Sequence, residues 1–380
     1  MSGRHSASAA AVRLTEQRLP ELRGRLPAAG LGSYPSPVER LRAVERAAGL
    51  VPGTELWIKR DDLAGAPLGL AKVRKLEQLL GAALAVGARE VVTLGPLGSN
   101  HALATALAAR RLGLRARLLL WPEAVTPRVE LLLRAMHALG ARLELLGELG
   151  EHALLEQSAR RGVRAWSAPA PQSFFLPPAG TDAVGASGYV ECALELEEAR
   201  AQGVLPVPDF VHVAGGTGGV AAGLAVGLAL AGPPLANAQV VAVRAVGEGV
   251  LGLGRLVLWA RRIQARLEAL GAPRAAFGGR ALQPRAFRIL HGHAGGGYAV
   301  PTAEAEAAAA LFARAAGIAL DPVYTAKAAA GLLAFARSAE GRGRRHLFVH
   351  THAEPDLGAL AAGAAAAALP PPFGALLAGR

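Results

Sequence analysis

Lysine is almost missing from this chain. Of its 41 basic residues only four are lysines, Lys59, Lys72, Lys75 and Lys327, and three of them fall in one short stretch. Arginine cannot lose its proton in a protein and so cannot form a Schiff base, whereas a lysine with a depressed pKa can. Two readings follow: the four are leftovers on an arginine-biased surface, or they are amines kept where arginine will not substitute. Cysteine is as scarce. Cys192 stands alone, which excludes an intrachain disulfide and a cysteine-built zinc site and suits a reducing cytoplasm. Aromatic residues make up 4% of a chain that is 52% hydrophobic, so the core must consist of small aliphatic side chains in closely packed helices. Long apolar runs are absent too: Ala221–Leu230 is too short to span a bilayer, and Ala359–Leu369 is mostly alanine.

What is present is basic. The formal net charge is +12, yet the arginines are scattered, with doublets such as Arg110-Arg111 and Arg261-Arg262 and no basic run interleaved with aromatics. That pattern argues against nucleic acid and for a basic surface serving a small anionic substrate. A length of 380 residues suits two domains or one large α/β domain. The first 26 residues are rich in Ala, Ser and Arg and lack the apolar centre of a secretory leader, so residues 1–30 are expected to form a poorly ordered arm.

Apolar runs alternate with helical patterns. Glu90–Leu94, Ala116–Trp121 and Ala141–Leu146 read as strands, separated by helices over 101–112 and 126–139. A second cycle starts at Phe210–Val213, continues as a helix to Leu230 and returns as a strand at Gln239–Val246. Ala303–Ala316 reads as a helix and His346–His350 as a late strand, with a loop-rich passage over 168–180 between the cycles. This rhythm predicts parallel sheets covered by helices.

Four clusters carry chemistry. Strand 210–213 runs into Gly215-Gly-Thr-Gly-Gly219 and then a helix, an anion-binding arrangement in which glycines let backbone N–H groups converge at a helix N-terminus. No Gly-Lys-Ser/Thr follows and no acid stands about 20 residues on, so neither a Walker nor a dinucleotide motif fits. A tight strand-to-helix turn is the plainer alternative. Gly95-Pro-Leu-Gly-Ser-Asn-His101 opens a helix at a strand's C-terminal end, where ligands collect, although Ser99 and Asn100 also serve as ordinary helix caps. Leu320-Asp-Pro-Val-Tyr-Thr-Ala-Lys327 is a turn into a helix, and Leu347-Phe-Val-His-Thr-His352 a strand ending in polar residues. No carboxylate completes a metal framework around the paired histidines, so no metal is assigned. A phosphate cradle, a candidate Schiff-base lysine and hydroxyls at the sheet edge are together what a pyridoxal 5'-phosphate site needs.

With these pieces assembled, the chain resembles the fold-type II pyridoxal-phosphate enzymes of the tryptophan synthase beta-like class. Within them it resembles the D-cysteine desulfhydrase and 1-aminocyclopropane-1-carboxylate deaminase family. The similarity runs from Tyr34 to Gly358 through Pro35-Ser-Pro-Val-Glu-Arg-Leu41, Leu56-Trp-Ile-Lys-Arg-Asp-Asp-Leu63, Leu68-Gly-Leu-Ala-Lys-Val-Arg-Lys-Leu-Glu77, Ser99-Asn-His101, Gly188-Tyr-Val-Glu191, Gly297-Tyr298 with Pro301-Thr302, and Leu320-Asp-Pro-Val-Tyr-Thr325. The resemblance implies that Lys72 binds the cofactor covalently and that Lys72 or Ser99 removes the substrate's α-proton. It assigns Asn100 to the cofactor's phenolic oxygen, and Gly216, Thr217, Gly218 and Gly219 with Lys75 to its phosphate. Ser99, with Asn100 and His101, would face the substrate, with Tyr298 and Tyr324 lining the same side. Thr351 or Thr325 would meet the pyridine nitrogen, a hydroxyl as in the desulfhydrases where the deaminases have a carboxylate.

The chain departs from the family pattern at Leu70 and Ala71, at Leu103 and Ala104, and at His352-Ala353. The expectation is an altered substrate pocket behind a retained cofactor grip. The resemblance further implies a large cofactor domain from 31–75 and 179–370, a small mobile domain over 76–178, a homodimer, and a small amino-acid substrate. The expected reaction is α,β-elimination on a D-cysteine-like amino acid; the alternatives are ring opening or other chemistry on a specialised amino acid, and a homologue that binds without turnover.

Overall fold

A computed structural model describes residues 13–65, 68–147, 172–279, 282–297, 299–362 and 369–378. Ten strands among them form two sheets. Strands β1 (Val38–Arg40), β2 (Glu55–Lys59), β7 (Phe210–Gly215), β8 (Gln239–Arg244), β9 (Phe287–Leu290) and β10 (Arg345–Val349) make a six-stranded sheet in the order β1-β2-β10-β7-β8-β9. Strands β3 (Glu90–Pro96), β4 (Arg115–Trp121), β5 (Arg142–Leu145) and β6 (Ser173–Leu176) make a four-stranded sheet in the order β5-β4-β3-β6. All pairings are parallel except β1 with β2. The fold is thus the expected one: parallel α/β sheets covered by helices.

The central strands read as unbroken apolar runs because both faces are covered, as parallel sheets require. Val211 and Val213 in β7 and Val240 and Val241 in β8 are fully buried. The scarcity of aromatics has its counterpart in close helix packing. Helices α1 (Leu14–Arg18), α2 (Arg42–Ala47), α3 (Val73–Ala85), α4 (Asn100–Arg111), α5 (Pro127–Ala138), α6 (Ala183–Ala201) and α7 (Gly219–Ala231) lead up to the second half of the chain. A Cβ at Gly223 of α7 would lie 2.3 Å from the Ala186 carbonyl oxygen, and one at Gly227 would lie 2.6 Å from that of Val190. Only glycine lets α6 and α7 meet that closely.

Residues 14–22, expected to belong to the arm, instead form α1 and a following 3-10 turn, with Leu19 and Leu22 buried against α6 and α7. The apolar core around the four-stranded sheet also draws on residues outside 76–178, including Leu31, Leu70, Val73, Leu369 and Phe373. The passage over 168–180 contains β6, which completes that sheet.

Candidate functional site

Lys72 sits at the N-cap of α3 with φ 54° and ψ 38°, a left-handed conformation that costs a residue with a Cβ about 1–2 kcal/mol. Such strain gathers at functional sites. The backbone N–H of Lys72 donates to the Thr351 carbonyl at 3.2 Å, which ties the start of α3 to the end of β10. Its ammonium lies 4.5 Å from the centroid of the Tyr324 ring. Burial pushes the Lys72 pKa down, and Asp321 offsets that only in part. A lysine shifted toward its neutral amine is a nucleophile and a base.

The amine faces a cleft between the C-terminal ends of β3 and β7. Ser99, Asn100 and His101 line it from the start of α4, Gly216 and Thr217 from the glycine loop, and Tyr324 from beside Gly216. Ser99 caps α4, its Oγ accepting from the Ala102 N–H at 3.1 Å, and its own O–H remains a donor. A Cβ at Gly95 would come within 2.6 Å of that Oγ, so glycine at this strand end makes room for the serine. Asn100 presents a buried Nδ2 with no hydrogen-bond partner. His101 is held neutral, its pKa lowered to about 3 by burial and by Lys72 and Lys75.

The glycine loop caps α7 through Gly218 at φ 88°, without any side-chain cap. Lys75 reaches it from α3. Its Nζ donates to Thr181 Oγ1 at 2.7 Å and to the Ala179 carbonyl at 3.0 Å, and Thr181 in turn meets the Thr217 hydroxyl at 2.6 Å. A Cβ at Gly219 would stand 3.2 Å from that ammonium. Burial, then the charge of Lys72, depresses the Lys75 pKa strongly. Among the described residues no carboxylate pairs with Lys75.

All four lysines are thus enclosed. Lys59, Lys75 and Lys327 are buried and Lys72 is half-buried, so none is a surface leftover. Lys59 pairs with Glu195 at 2.6 Å, and Lys327 donates to the carbonyls of Ala294 and Gly297.

Two expectations need revision. Thr325 does not offer its hydroxyl to the cleft: it donates to Asp321 Oδ2 at 2.7 Å and accepts from the Asp321 N–H at 2.8 Å. Asp321 also takes the N–H groups of Val323, Tyr324 and Thr325, so this cluster builds the turn into the helix Thr325–Arg337. Burial would raise the Asp321 pKa, but His352 and those bonds hold it below the ordinary value. Thr351 is thereby the remaining candidate for the pyridine nitrogen. Second, Ala71, Leu103, Ala104, His352 and Ala353 share a small recess behind Asn100, and none of them lines the Lys72 cleft. These departures from the family pattern thus gather in one recess that shares Asn100 with the Lys72 cleft, with Ala71 next to Lys72 in the chain. Leu70 is core. Tyr298 lies outside the described residues.

Sequence reasoning missed Thr181, which links Lys75 to Thr217, and the apolar wall of Leu94, Trp121, Val246 and Val250. Only the position of Leu94, Trp121 and Val246 at the ends of apolar runs hinted at them.

The comparisons agree with this geometry. Residues 30–352 match the sequence profile of the pyridoxal-phosphate dependent enzymes, and the chain belongs to that family. Within it, the chain falls in the 1-aminocyclopropane-1-carboxylate deaminase and D-cysteine desulfhydrase-like group of fold type II. It is 38% identical to nocardicin C-9' epimerase of Nocardia uniformis subsp. tsuyamanensis over 88% of this chain and 95% of that protein. It is 32% identical to a Pyrococcus horikoshii protein provisionally described as a 1-aminocyclopropane-1-carboxylate deaminase, over 87% and 93%. The solved structure of an ACC deaminase homologue superposes with a TM-score of 0.68 at 30% identity, covering 88% of this chain and 93% of that one. The enzyme uses pyridoxal phosphate.

The residues fit that cofactor. A buried amine whose hydrogen-bond partners are two neutral oxygens, beside an uncapped helix N-terminus, suits the anion that a phosphate supplies. The orphaned Asn100 Nδ2 lacks an acceptor. Lys75→Met is therefore expected to weaken pyridoxal phosphate binding about 10–100-fold, the loss of one charge-assisted contact. Binding of pyridoxal, which has no phosphate, should change little. Titration of the apo-protein with both compounds checks this.

Proposed function

We propose that the enzyme removes the α-proton of an amino acid with Lys72 and expels its β-substituent, in the manner of a D-cysteine desulfhydrase. For cysteine the balance is one amino acid and one water giving pyruvate, ammonia and hydrogen sulfide. The observation that carries the proposal is the half-buried Lys72 amine, lining one cleft with Ser99 and shifted toward its neutral form. When bound, the cofactor supplies an aldehyde for the substrate amine and a ring that withdraws electrons from Cα.

The chain's residues do the rest. Ser99 and the free N–H groups opening α4 receive the substrate carboxylate at a helix N-terminus. Leu94, Trp121, Val246 and Val250 keep water from the side-chain end of the cleft. Lys72 accepts the proton and returns it. Asn100, the glycine loop and Lys75 hold the cofactor. A hydroxyl such as that of Thr351 at the pyridine nitrogen would leave the bound ring a weaker electron sink than a carboxylate would, which suits a good leaving group. A single buried cysteine supports a cytoplasmic setting, and the family resemblance supports a homodimer with a small domain over 76–178.

A second reading has its own support. The 38% identity to an epimerase favours return of the proton to the opposite face, with no β-group lost. Incubation in D₂O with D-cysteine, L-cysteine, D-serine and aminocyclopropanecarboxylate separates the outcomes. Elimination releases 2-oxo acid from a substrate with a β-leaving group. Epimerisation places deuterium at Cα and changes the enantiomer without releasing 2-oxo acid. Aminocyclopropanecarboxylate consumed in preference to cysteine would mean ring opening. A spectral response to amino acids with neither exchange nor product means binding without turnover, and ends the proposal.

A further inference from the structure

Arg128 stands in the first turn of α5 (Pro127–Ala138), where the helix dipole disfavours a cation. A residue that breaks a local rule asks for a compensating contact. Arg128 has two. Its Nη2 donates to Asn100 Oδ1 at 3.2 Å, and its Nη1 pairs with Glu354 Oε1 at 2.5 Å. Asn100 belongs to the small sheet's side of the cleft, whereas Glu354 follows β10 of the large sheet. On the far side Glu354 Oε2 approaches His352 Nε2 at 3.8 Å, and His352 Nδ1 approaches Asp321 Oδ2 at 3.7 Å. A guanidinium is a planar fork that fixes two acceptors at once.

The bond to Oδ1 settles which way the Asn100 amide points. A primary amide has a donor end and an acceptor end, and it binds a phenolate only through the donor. With Oδ1 held by Arg128, the buried and unpartnered Nδ2 is the end left over.

We propose that Arg128 is a positioning residue of the cofactor site: it holds the Asn100 amide with its NH₂ toward the cofactor's phenolic oxygen, and Glu354 anchors it from across the cleft. This rests on the assignment of Asn100 to the cofactor. It does not depend on which reaction follows.

The competing description is an ordinary surface ion pair, since the side chains of Arg128 and Glu354 are 30% and 34% exposed. Such a pair contributes little and has no route to the cofactor's spectrum. A double-mutant cycle separates the two. Apo-protein of the parent, Arg128→Met, Asn100→Ala and the double variant is titrated with pyridoxal phosphate, following the visible band and its pH dependence. Arg128→Met should bind about tenfold more weakly, the worth of one hydrogen bond, and shift the pH at which the band titrates. In the Asn100→Ala background the same change should cost less than about twofold. Glu354→Gln, which cuts the anchor without touching either partner, should show a smaller loss that also vanishes in that background, and it carries the test if Arg128→Met does not fold. Parent-like affinity and band for Arg128→Met, or losses that add, overturns the inference and leaves Asn100 in place. Unchanged binding by Asn100→Ala removes the assignment of Asn100 and the inference with it.

Discussion

Exchange of Lys72 for alanine is expected to abolish the covalent cofactor adduct and slow turnover by about 10²–10⁴-fold, the range for losing a positioned acid–base group. The protein should remain folded, because the Lys72 backbone supplies the contacts that matter to the fold: its N–H reaches Thr351 and its carbonyl accepts from Lys75. Absorption spectra, borohydride reduction and peptide mapping check the result. A variant as yellow as the parent, or reduced label on another lysine, would remove Lys72 from its role. The left-handed backbone adds a control. Lys72→Gly relieves the Cβ strain that Lys72→Ala retains, so it should be more stable by about 1 kcal/mol while being equally inactive.

Glu195 carries the second large effect, on stability. It lies on α6 and joins two cations at once, Arg74 at 2.7 Å and Lys59 at 2.6 Å, while Arg74 also reaches Asp61 at 2.6 Å. Each of these side chains is 1% exposed. Arg74 follows Lys72 by two residues, so the cluster braces the very turn that aims the amine. Glu195→Ala leaves Lys59 with no carboxylate and Arg74 with one, and should cost about 3–5 kcal/mol by chemical denaturation. A loss under about 1 kcal/mol would mean the charges reach water. The pH dependence has a definite sign. Burial would raise the Glu195 pKa, but Arg74 and Lys59 hold it below its ordinary 4.5. A depressed carboxylate contributes its full stabilisation above the ordinary value and loses it as pH falls through the folded value. The parent should therefore lose this contribution on acidification below about 4.5, and Glu195→Gln should lack that step.

Much of this could be read in advance, for a physical reason. Strands β3, β4, β7 and β8 are buried on both faces and so are continuous apolar runs, and ligand groups sit at their C-terminal ends by the logic of the fold. Hence the glycine loop, Ser99, Asn100 and Lys72 were visible as a set. Strands β1, β2, β6 and β9, three to five residues long, were not. Direction was also hidden. Spacing places Thr325 beside Tyr324 but does not show that Asp321 takes its hydroxyl. Nor does spacing reveal that Ala71, Leu103 and His352 converge on one recess behind Asn100. Arg128 and Glu354 meet only because the two sheets face each other across the cleft.

The enclosure of the lysines has a consequence for how such a protein finds its cofactor. Aldehydes condense with any unprotonated amine they can touch, and a coat of ordinary lysines would capture them at many wrong addresses. Here arginine supplies the outer charge and is inert to that condensation. A carbonyl compound arriving from solution meets one lysine side chain that is not sealed off, at the floor of the cleft. Selectivity of labelling is then written into which basic residue the chain uses, before any recognition of the ring or its phosphate begins.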